Sequence, residues 1–166
     1  MPVEIRVKGQ FSSRVTRPRL RRIAAKTLRA ENARALVTIY ITDNAEIRAL
    51  NRQFHATNAP TDVLAFPVRS QRRSETESPS AIAPRPHNGT PLRSVPNYEL
   101  NLGDIVISYE QAREQAHATG WRIHDELELL VVHGLLHLLG YDDRTPRARA
   151  RMWRRQAEIL GKEIPK

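Results

Sequence analysis

The chain has 166 residues, with 27 Lys and Arg against 18 Asp and Glu and no cysteine, and its isoelectric point is about 10.7. That length suits one domain around one core, and the missing thiols exclude disulfides and thiolate metal sites while fitting a reducing compartment. A net charge of +9 predicts polyanionic partners, nucleic acid or ribosome foremost, held through counterion release.

The N-terminus, Met1-Pro2-Val3-Glu4-Ile5-Arg6, lacks the apolar core of a signal peptide, and no apolar run reaches membrane-spanning length. A cytoplasmic protein without a membrane partner is therefore expected. Val3 to Val7 alternates apolar and polar residues as a strand does. Thr16-Arg17-Pro18 opens a basic helix running to about Ala30, with proline near its start. The β-branched run Leu36 to Ile41 predicts a second strand, and Thr42 or Asp43 caps a helix that continues to about Phe54. Two more strands are expected at Asp62 to Phe66 and Asp104 to Ser108.

Between them, from about residue 68 to 97, the composition shifts to Ser, Arg, Pro and Thr, with Pro79, Pro84, Pro86, Pro91 and Pro96 interrupting any regular element. A disordered insertion within a single domain 1–166 is the expectation, because the flanking strands belong to one core. Tyr109 to Thr119 reads as a helix closed by Gly120, and Thr145-Pro146 starts a last helix that stops near Gly161. In that helix Met152 stands beside Trp153 and is read as core. The fold class is α+β, a small sheet of four strands with flanking helices.

Between these two helices lies His133-Gly134-Leu135-Leu136-His137-Leu138-Leu139-Gly140-Tyr141-Asp142-Asp143. A helix is expected from about His124 to Leu139, with Asp125, Glu126 and Glu128 near the positive end of its dipole. Residues i and i+4 project from one helix face, so His133 and His137 form a clamp for one cation. Gly140 fits the left-handed position that ends a helix and lets the chain fold back, bringing Asp142 or Asp143 toward the imidazoles.

Written H-x-x-x-H-x-x-G-x-x-D, the run has the spacing of the long zinc motif of metzincin-type proteases, H-E-x-x-H-x-x-G-x-x-H. Gly134 replaces the glutamate that serves there as general base, which disfavours peptide hydrolysis. Asp143 stands where a third histidine would be, and zinc accepts oxygen as well as nitrogen ligands. Two histidines four apart, taken alone, are equally compatible with hydrogen-bonded members of a buried helix. The glycine and the aspartates after them favour the metal.

The same residues resemble the H-G-x-L-H-L-x-G-Y-D-H signature of the YbeY family, bacterial single-strand endoribonucleases and rRNA maturation factors. Leu50-Asn51 with Pro60-Thr61-Asp62-Val63-Leu64-Ala65-Phe66-Pro67 resembles the family's L-N…P-T-D-V-L-S-F-P segment, and Leu102-Gly103-Asp104-Ile105-Val106-Ile107-Ser108 its L-G-D-I-x-I-S strand. These blocks keep family order from about Leu50 to Asp143. The resemblance implies a zincin-like fold with a mixed sheet and one zinc ion. His133 and His137 are its ligands, and Asp143 takes the place of the family's third histidine.

It also implies single-stranded rRNA and the ribosomal subunit as partners, with DNA not expected. Another departure is Phe54-His55, where the family usually carries Tyr-Arg. A neutral His55 would be a weaker phosphate contact than arginine, although the imidazolium does the same work below a pKa near ~6.5. The chemistry expected is a zinc ion with an open position for water or a phosphate oxygen. Asp142 is a candidate partner that fixes a histidine tautomer or orients the turn. Asp62 and Asp104 are candidates for lining the cleft. Arg144, Arg147 and Arg151, in the basic cluster just after the motif, are candidate RNA contacts. The alternative function is a ribosome-assembly or RNA-binding factor whose metal is structural.

Overall fold

The computed structural model describes residues 2–68 and 100–165. In chain order its elements are β1 (Val3–Val7), α1 (Arg17–Ala30), β2 (Ala35–Thr42), α2 (Asn44–His55), β3 (Val63–Pro67), β4 (Leu100–Ser108), α3 (Tyr109–Thr119), α4 (Ile123–Leu138) and α5 (Pro146–Leu160). A single 3₁₀ turn, Gly9–Phe11, follows β1. Apart from that turn, the expected elements are present, with ends that differ by a residue or two, save that β4 begins at Leu100. The expected insertion, from residue 69 onward, lies outside the described residues.

The sheet order is β1-β2-β4-β3. β1 and β4 each run parallel to β2, whereas β3 pairs antiparallel with β4, leaving β3 as an edge strand. The four-stranded mixed sheet is thus the one expected. Alternation along the strands decides which face each side chain joins. Val37, Ile39 and Ile41 of β2, with Ile105 and Ile107 of β4, enter the main core together with Leu127, Val131 and Leu135 of α4. Val106 points the other way, to a smaller cluster with Ile47 of α2 and Leu64 of β3. Burying each such aliphatic side chain contributes about 1.5–3 kcal/mol, so α4 is held mainly by its apolar face.

Local rules set the element ends. Asp43 accepts a hydrogen bond from Glu46 N at 3.0 Å and caps α2; Ser108 caps α3 in the same way through Gln111 N. Arg19, in the basic helix α1, donates to Asp125 and Glu128 of α4 at 2.7 and 2.8 Å. These two acids therefore tie α1 to α4. Gly103 has φ +126°, and a Cβ there would lie 2.0 Å from the Phe66 carbonyl oxygen on β3. Only glycine fits that approach.

Candidate metal centre

α4 contributes two imidazoles from successive turns. Their Nε2 atoms face each other at 3.1 Å. The helix then ends in a Schellman turn: Gly140 N donates to His137 O, Tyr141 N donates to Leu136 O, and Gly140 takes φ +98°. Tyr141 is fixed from two sides, its hydroxyl donating to Glu31 Oε2 at 3.1 Å and its ring lying 5.3 Å beneath the Arg151 guanidinium. The returning chain brings Asp143 Oδ2 to 3.5 Å from His137 Nε2.

The ligand atoms of His133, His137 and Asp143 all lie within 4.8 Å of one another. Around a tetrahedral ion with bonds of roughly 2.0–2.2 Å, neighbouring donors sit about 3.3–3.6 Å apart, so this donor set fits one divalent cation. Two imidazoles and one carboxylate are also donors that zinc accepts.

His133 is prepared for such a role by α5. Its Nδ1 lies 2.7 Å from Gln156 Oε1. A carbonyl oxygen only accepts, so Nδ1 carries the proton and the Nε2 lone pair is left free toward the cluster. Burial pushes the His133 pKa below the ordinary imidazole value, against the opposing effect of the Gln156 hydrogen bond. A neutral ring is the ligand form.

Asp142 does not meet either ring. It accepts from the backbone N and the Nε of Arg144 at 2.9 and 3.0 Å, which fixes the turn itself; the partner beside the histidine is Gln156, 2% exposed. Gly134 is explained by packing, because a Cβ there would lie 2.8 Å from Ile105 Cγ2. Helix and strand touch at this point, and a glutamate has no room.

Two hollows meet at the centre. An open groove is lined by His55, Asp62, His133, His137 and Asp143, with Val63 to Ala65 of the edge strand along one wall. His55 therefore shares a groove with the three candidate ligands. The other hollow, a cavity of about 350 Å³, runs from His133 and Asp143 between α4 and α5. Asp62 lines both. Asp104 pairs with Thr38 and Phe66 in the sheet and lines neither.

Glu126 lies in the cavity, not on the solvent side of the helix start. Burial raises its pKa to about 7, helped by the nearby negative charge of Asp62. Arg149 reaches the same cavity. Arg147 and Arg151 border a separate depression with Tyr141 and Asp142, and the Arg144 side chain is exposed and paired with Asp142. Met152 is buried in the core at 2% exposure.

Gln156, Glu126 and Arg149 were not singled out by the sequence. A signal existed for Arg149 and Gln156 alone: with Met152 and Trp153 they share a helical stripe, spaced three, one and three residues apart, that faces the histidine helix.

Fold and site together define a small α+β protein in which two histidines of α4 and an aspartate just past its end form a group that could hold a metal ion. The family model described as Endoribonuclease YbeY matches residues 6–163, and the chain belongs to that family. It is 37% identical to the Endoribonuclease YbeY of Roseiflexus castenholzii over 162 residues, 96% of this chain and 91% of that protein. It is also 37% identical to the one from Dehalococcoides mccartyi over 86% of this chain and 78% of the relative. The solution structure of TM1509 from Thermotoga maritima superposes with a TM-score of 0.56 at 22% identity, covering 96% and 89% of the two chains, which supports the fold. Among the described residues no helix is long and apolar enough to cross a membrane.

Proposed function

We propose that this protein is a zinc-dependent endoribonuclease that cuts single-stranded RNA during rRNA maturation, with the ribosomal subunit as its partner and the cytoplasm as its place of work. The observation that carries the reading is the convergence of His133, His137 and Asp143 on the floor of an open groove, in a chain whose relatives are named endoribonucleases.

The residues divide the work as follows. Gln156 holds His133 in the ligand tautomer, and the Schellman turn delivers Asp143. His133, His137 and Asp143 would hold the zinc ion, which when bound would supply Lewis acidity for phosphodiester cleavage. His55, lining the same groove, contacts a phosphate of the bound strand. Arg149 lines the cavity that also reaches His133 and Asp143, while Arg144, Arg147 and Arg151 attract the RNA backbone from the adjoining surface.

A peptidase built on the same spacing is disfavoured by Gly134, packed against Ile105. The reading is tested by incubating zinc-loaded protein with labelled single-stranded and duplex RNA, comparing wild type with His137→Ala. Cleavage of the single strand only, lost in the variant, supports it. Zinc-bound protein that binds RNA without cutting it supports a ribosome-assembly factor with a structural metal instead.

A further inference from the structure

The cavity between α4 and α5 contains a group that the metal centre does not use. Glu126 is 5% exposed and lines the cavity. Among the described residues its side chain makes no hydrogen bond, whereas Asp62 accepts from Gln115 Nε2 at 3.1 Å. Among the described residues no side-chain oxygen is both sealed from solvent and unpaired, so the Glu126 carboxyl opens into the cavity, where an occupant that brings donors can replace the water this buried residue has largely lost.

The walls say what kind of occupant fits. Leu129, Leu130, Met152, Trp153 and Ile164 make the sides apolar, and Trp153, 37% exposed, leaves indole surface accessible. Apolar or aromatic walls with hydrogen-bonding groups in one place are what an unstacked nucleobase requires: its faces pack and its edge is read. The cavity begins at His133 and Asp143, so a base held there belongs to a nucleotide next to the candidate metal. Among the four RNA bases, guanine alone offers two adjacent donors, N1–H and N2–H, on its Watson–Crick edge. One carboxylate accepts both.

We propose that this cavity is a nucleobase subsite beside the cleavage position and that Glu126 selects guanine in it by accepting N1–H and N2–H. The inference rests on the reading that the chain cuts single-stranded RNA, and it adds a sequence preference to that reading. Glu126→Gln replaces one acceptor with a donor that opposes guanine.

The zinc-loaded protein is titrated with GMP, AMP, CMP and UMP while tryptophan fluorescence is followed, with Trp153→Phe showing which ring reports. In parallel, single-stranded oligonucleotides carrying one guanosine are compared with guanosine-free ones. GMP is expected to bind about tenfold or more tighter than the other three, since a bidentate base contact is worth about 1–3 kcal/mol. Cleavage is expected next to guanosine, and folded Glu126→Gln is expected to lose both preferences.

Equal binding of the four nucleotides by wild type overturns the proposal without reference to any variant. So does a guanosine preference that survives in Glu126→Gln with an unchanged circular dichroism spectrum. If wild type cuts no RNA at all, the nuclease reading fails, while the mononucleotide titration still decides the subsite.

Discussion

Nδ1 of His133 on α4 stands 2.7 Å from Oε1 of Gln156 on α5. This bond couples the last helix to the orientation of a candidate ligand. Removing the amide leaves a partly buried imidazole N–H unpaired and frees the ring to rotate. Outer partners of metal-bound histidines are typically worth about 10–100-fold in metal affinity. Gln156→Ala should therefore bind zinc at least tenfold more weakly, measured by competition with a chromogenic chelator, and Gln156→Glu, which keeps the acceptor, should stay close to wild type.

Glu126 predicts a pH dependence of stability. Its folded pKa is raised from 4.5 to about 7 by burial and the Asp62 charge. Between those values the folded state keeps a proton that the unfolded state has lost. Stability therefore falls as pH rises through that window and levels off above about 7. A shift of this size corresponds to about 3 kcal/mol. Asp43 and Glu46, held below the usual carboxylate range by hydrogen bonds to Lys8 and Thr42 respectively, act oppositely, adding stability that is lost as pH drops below the ordinary carboxylate values. Denaturant melts from pH 5 to 8 should show the decline in wild type and its loss in Glu126→Gln.

Gly134 predicts a packing cost. A methyl there meets Ile105 Cγ2 at 2.8 Å, and a β-branched side chain has little freedom to move aside. Overpacking of this kind costs about 1–3 kcal/mol, partly offset by about 1 kcal/mol of helix propensity gained by replacing glycine with alanine. Gly134→Ala should lower the melting temperature by a few degrees, and Gly134→Glu by much more. In a cycle with Ile105→Ala the double variant should be more stable than the sum of the single losses predicts.

His55 predicts a salt effect. A permanent charge at this place in the groove adds one phosphate contact, which steepens the dependence of log affinity on log salt by about 0.7 for a single strand. His55→Arg should bind single-stranded RNA more tightly at pH 7.5 and low salt, with that steeper slope. An unchanged slope places His55 outside the RNA path.

The parts of this architecture written in local sequence were readable. The two histidines four residues apart, the glycine with φ +98° and the aspartate three residues beyond it obey rules that act within one helix and its cap. Val3 to Val7 alternated, Thr42 or Asp43 announced the start of α2, and Thr145-Pro146 announced that of α5. What escaped depends on contacts between distant segments. Gln156 is an unremarkable amide in a basic helix until α5 is laid against α4. Glu126 looks like an acidic residue at a helix start, and only the packing of α3 and α5 turns it into a buried carboxyl. Gly134 was read by what it lacks, a proton-transferring side chain, whereas its cause is the approach of Ile105. Asp142 was expected either beside a ring or orienting the turn, and the contact with Arg144 gives it the second role.

The site predicts one divalent cation held jointly by His133, His137 and Asp143. Anomalous X-ray diffraction at the zinc edge, on crystals grown with zinc and no chelator, tests it most directly. The prediction is a single full-occupancy peak about 2.0–2.2 Å from the Nε2 atoms of both histidines and an Asp143 carboxylate oxygen. A peak held by other residues, or three side chains turned apart with no peak between them, contradicts it.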